Sequence, residues 1–95
     1  MSAQQAIDLL NRAAEKMFDV VDPLNKAHDT LEGDIVPMLA EAEGEPGVSR
    51  TITEIHGAVR QTLDNLDTIT REAAGIRAMM EDHAAYLTAS MHQEE

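Results

Sequence analysis

Apolar side chains recur along the first half of the chain at alternating steps of three and four residues. The series Ile7, Leu10, Ala14, Met17, Val21, Leu24, His28, Leu31, Ile35, Met38 and Ala42 is the repeat of a helix that buries one stripe against a neighbour. Ala6, Ala13, Val20 and Ala27 each precede one of these positions and widen the stripe with small groups, as in a helix that touches more than one partner. The second half repeats the pattern through Ile52, Ile55, Val59, Thr62, Leu66, Ile69, Ala73, Ile76, Met80, His83, Leu87 and Ser90, with Leu63, Ala84 and Met91 as a flanking row. Between the stripes, residues 43–49 hold Gly44, Pro46 and Gly47 and have no helical period.

These patterns predict an all-α chain forming one domain over residues 1–95. A helix over about 3–42, a turn over about 43–49 and a helix over about 50–91 make a long antiparallel hairpin. Ser2 with Gln5, and Thr51 with Glu54, have the spacing of capping boxes, and Ser49 is a rival cap for the second helix. Asp22-Pro23 and Val36-Pro37 interrupt the first arm, because an interior proline lacks a donor and crowds the preceding turn. The kink or break is expected near Pro23, with Asp22 as cap. A turn centred near 45–46 would set Leu24 near Leu66, Leu31 near Val59, Met38 near Ile52, and His28 beside Thr62. Gly57 and Gly75, interior to the second helix, read as points of close helix approach.

Two helices cover only the face between them, so the widened stripes predict pairing of two hairpins into a four-helix bundle. The interface and core would be Leu10, Met17, Val21, Leu24, Leu31, Ile35, Met38, Ile52, Ile55, Val59, Leu66, Ile69, Ile76, Met80 and Leu87.

Composition narrows the chemistry. Eighteen acids against seven bases give a net charge of −11, and both halves are acidic, so no cationic face exists to neutralise phosphates. Nucleic acid and anionic membranes are excluded as partners. A protein partner remains, in a homodimer or in a heterodimer with another helical chain. No cysteine is present, which removes thiol catalysis and cysteine-ligated metals. No catalytic motif or Glu-x-x-His pair occurs, so no enzyme activity, metal or cofactor is expected. His28 and His83 lie on the stripes and are the candidate pH-sensitive positions: buried as neutral rings, they would loosen a dimer on mild acidification. The methionines read as core. Neither a cleavable signal peptide nor a membrane span is visible, which points to a cytoplasmic protein or one secreted without such a peptide.

The layout of two helices around a glycine-containing turn, with Leu66-Asp67-Thr68-Ile69 through Ile76-Arg77 as the most similar part, resembles the small Trp-x-Gly helical-hairpin proteins of type VII secretion. Glu45-Pro46-Gly47 stands where that family has Trp-x-Gly, and Tyr86 is followed at the fourth position by Ser90 where the family's export signal has an acid. The resemblance implies a non-catalytic, dimerising protein associated with that secretion system. Without it, the same hairpin reads as a cytoplasmic or phage-derived adaptor or assembly subunit.

Overall fold

A computed structural model describes residues 2–47 and 50–93, and the side chains through Met91. The order is α1 (Ala3–Lys16), α2 (Phe18–Thr30), a π-turn (Leu31–Ile35), α3 (Val36–Glu43) and α4 (Arg50–Gln93). Among the described residues there is no strand, and the chain is all-α and hairpin-like in its succession of arm, turn and arm. Contacts gather into two compact units, one of residues 1–22 with 71–95 and one of residues 23–70.

The first unit begins at the expected cap. Ser2 Oγ accepts from the Gln5 amide at 3.2 Å, and the Ser2 amide donates to Gln5 Oε1 at 2.8 Å, so two donors that a helix start leaves open are satisfied reciprocally. Ile7, Ala14, Ala73 and Ala84 are buried here. Three of the four are alanines, so the core of this unit is thin and rests on close backbone approach more than on large side chains.

The break expected at Pro23 lies elsewhere. Pro23 is inside α2, and the chain leaves regular α-helix at Met17 and again at the π-turn. At Met17 the hydrogen bonding never lapses: its amide donates to Ala13 O and Ala14 O, and its carbonyl accepts from Val20 and Val21. Met17 lies six residues before Pro23, beyond the single turn that a proline crowds, so Pro23 does not account for this irregularity.

The second unit contains the turn. Gly47 has φ of 79°, a left-handed conformation that glycine adopts without steric cost. Val48 and Ser49 lie outside the described residues, and so does the proposed cap at Ser49. The Thr51–Glu54 box is not formed, because α4 already begins at Arg50 and places Thr51 inside it. The register also differs from expectation. His28 stands at Asp67, more than one helical turn beyond Thr62, and Glu43 stands at His56. Those contacts put the axis of the turn later than 45–46, so the pairing of Leu24 with Leu66 and its two companions is replaced by a later stagger.

Gly57 and Gly75 mark no close approach. A Cβ built at either would meet nothing within 4 Å.

Candidate interaction surface

The rows of α4 define what it offers to a neighbour. Its inward row is Ile52, His56, Val59, Leu63, Leu66, Thr70, Ala73, Arg77, Met80, Ala84, Leu87 and Met91, all buried or half-buried. Half of these are the expected positions. The others replace Ile55, Thr62, Ile69, Ile76 and His83 by the residue that follows each, and Met91 joins Ser90, which is also half-buried. Leu63 and Ala84 are the most enclosed of the replacements, at 5% and 2% exposure. Both alternatives keep the same repeat; the one observed turns Thr70 inward in place of Ile69 and Ala84 in place of His83, but the longer His56 and Arg77 in place of Ile55 and Ile76.

The isoleucines left outside fall on a second repeat. Within the second unit it runs Ile55, Ala58, Thr62, Asn65, Ile69, and within the first unit Glu72, Ile76, Met79, His83, Tyr86, every one exposed. Met79 and Tyr86 are 70% and 65% exposed, and Ile55, Ile69 and Ile76 nearly half. Of the ten acidic and basic side chains that α4 carries, only Glu72 belongs to this row. A solvated face ordinarily gathers charge, so a row that avoids it while keeping a three-four repeat has the composition of a packing surface.

The other predicted positions divide similarly. Leu10, Met17, Val21, Leu24, Leu31, Ile52, Val59, Leu66, Met80 and Leu87 are half-buried, while Ile35 and Met38 are exposed and Val36 and Leu39 take their places. Gly44, Pro46 and Gly47 all lie in the turn.

His28 does not meet a threonine hydroxyl. Its Nδ1 is 3.3 Å from Glu32 Oε2 and its Nε2 3.2 Å from Asp67 Oδ1, whereas Thr62 Oγ1 donates to the Ala58 carbonyl. The surroundings assumed for loosening on acidification, a neutral ring buried among apolar groups, are therefore absent at His28. His83 is exposed and stacks on Tyr86 with ring centroids 6.0 Å apart. Two contacts were not apparent from the pattern. His56 donates from Nδ1 to Glu43 Oε1 at 2.8 Å, and its Nε2 is buried without a partner. The Arg77 guanidinium lies 4.8 Å from the Phe18 ring centroid and reaches Glu81 at 3.1 Å. Glu43 and His56 face each other only across the turn, so no local spacing announces them.

Among the described residues no three His, Asp or Glu side chains converge as metal ligands, and no helix is long and apolar enough to cross a membrane. The chain matches no protein-family model, no curated protein and no solved structure.

Proposed function

We propose that this chain is a non-catalytic protein-protein interaction module that associates, as a homodimer or with another helical chain, through the outer row of α4, where Glu72 is the one acidic side chain, in the manner of a four-helix bundle. The exposure of Ile55, Ile69, Ile76, Met79 and Tyr86 on that row carries the reading.

Sedimentation equilibrium tests the proposal directly, with self-association or a stable complex with a co-purifying helical protein as the expected result. A well-folded monomer at high micromolar concentration with no partner overturns it. The resemblance to type VII secretion proteins supplies the cellular setting to test first, by looking for the chain in culture medium. Its absence there, with association intact, favours the adaptor or assembly subunit.

A further inference from the structure

Leu31–Ile35 are wound as a π-helix, and the Val36 amide donates to the Leu31 carbonyl five residues back. A π-turn adds one residue to the helical repeat, and such turns are rare and frequent at functional positions. Up to Leu31 the inward residues keep the sequence repeat. Beyond it, Val36 is buried at 7% exposure and Leu39 is half-buried, while Ile35 is exposed and Met38 is 64% exposed. Val36, Leu39 and Glu43 each lie one later than the unbroken repeat would place them, while Ala42, which is on that repeat, is half-buried beside Glu43. Both pairs are apolar, so the segment carries two stripes one residue apart, and turning the helix through about 100° exchanges them.

Two features hold the observed phase. Pro37 has no amide to donate and in an unbroken α-helix would crowd the Gly33 carbonyl, so widening the turn ahead of it relieves both problems. At the far end, Glu43 is turned inward enough for its carboxylate to accept from His56 Nδ1 at 2.8 Å, with the two side chains only 28% and 18% exposed. One residue of slip would carry Glu43 away from that ring. Gly33, inside the π-turn, has open space around its missing Cβ, so no neighbouring side chain pins the winding there.

We propose that residues 31–43 are a two-phase register element: π-wound, they bury Val36 and Leu39 under the joint hold of Pro37 and the Glu43–His56 hydrogen bond, and α-wound, they bury Ile35 and Met38 and release Glu43. The element decides which apolar pair faces solvent. A ligand that grips Ile35 and Met38 stabilises the π phase, and one that grips Val36 and Leu39 stabilises the other, by the difference in its affinity for the two. This goes beyond the interaction module, since it concerns a different arm and stands whether or not the outer row of α4 is ever covered.

The chain has no cysteine, so a single introduced thiol reports its position without background. In the native background a thiol at Met38→Cys reacts several-fold faster with a maleimide than one at Leu39→Cys. In a chain carrying both Pro37→Ala and Glu43→Ala the order inverts while helicity is retained. Pro37→Ala with Glu43→Gln, which keeps an acceptor for His56, retains the native order. An unchanged order in the first pair, or inversion in the second, overturns the proposal. Should the first pair unfold, deletion of Gly33 together with Pro37→Ala decides the matter. That chain reaches the native phase by plain α-helix, so its thiol at Leu39→Cys stays protected. A reactive thiol there overturns the proposal as well.

Discussion

Replacing Leu63 and Ile69 separately by alanine distinguishes the observed inward row of α4 from the one its apolar repeat suggests. Leu63 is 5% exposed and Ile69 46% exposed, though a heptad count assigns Ile69 to the seam and Leu63 to its flank. Leu→Ala in a core costs about 2–5 kcal/mol, and a layer only two helices thick collapses partly around the gap, so about 2–3 kcal/mol is expected at Leu63. Full burial of an isoleucine contributes about 1.5–3 kcal/mol, and half of that is roughly 1 kcal/mol. Alanine's better helix propensity returns a few tenths, which leaves a net cost near 0.5 kcal/mol at Ile69.

At about 4–8 °C per kcal/mol for a chain of this length, Leu63→Ala lowers the melting temperature by roughly 10–20 °C and Ile69→Ala by a few degrees. The assay is thermal circular dichroism at the lowest workable concentration, repeated at high concentration. If Ile69 belongs to an intermolecular surface, its cost grows with concentration, because association adds to the stability of the folded chain. Equal losses at low concentration, or a larger loss at Ile69, would refute the inward row as described.

Gly57→Ala and Gly75→Ala each raise stability by about 0.5–1 kcal/mol in thermal melts, since the new methyl groups meet open space and the unfolded chain loses freedom. A loss at either would place another chain against that face. Gly47→Ala lowers stability by about 1–2 kcal/mol, because φ of 79° is strained for any residue with a Cβ. Arg77→Lys costs about 0.5–1 kcal/mol through the contact with Phe18, and in a Phe18→Leu background most of that cost disappears, a coupling that a double-mutant cycle measures.

Much of the local structure could be read from residue types. The Ser2–Gln5 cap, the glycine turn and the stripe from Ile7 to Leu31 follow from short-range chemistry, and each is present. What escaped was phase. A heptad repeat fixes the width of an apolar sector but not which of two adjoining rows meets the neighbour, so Leu63 and Ile69 were interchangeable on the page. The π-turn escaped for a related reason: Ile35-Val36 and Met38-Leu39 are apolar pairs, and either member continues the stripe. Pro37 marked a disturbance without saying whether it would end as a kink or as an added residue. Pairing across the turn was invisible because register depends on the stagger of the arms. His28 therefore meets Asp67, and His56 meets Glu43, at separations no motif encodes.

The charge pattern gives the outer row of α4 a testable sign. Two copies of a chain of net charge −11 repel one another, and an interface must overcome that repulsion. Were the contact built from ion pairs, added salt would screen the attraction and weaken it. A row whose only charge is Glu72 has little attraction of that kind to lose, while the repulsion between the rest of the two chains is screened over a Debye length of about 10 Å at 0.1 M and about 3 Å at 1 M. Self-association through this row therefore tightens as sodium chloride is raised, and Ile76→Asp, which puts a second acid on the row one turn from Glu72, weakens association most at low salt. Sedimentation equilibrium across that range measures both. Association that loosens steadily with salt would mean that charged groups hold the copies together and that the outer row of α4 is not where they meet.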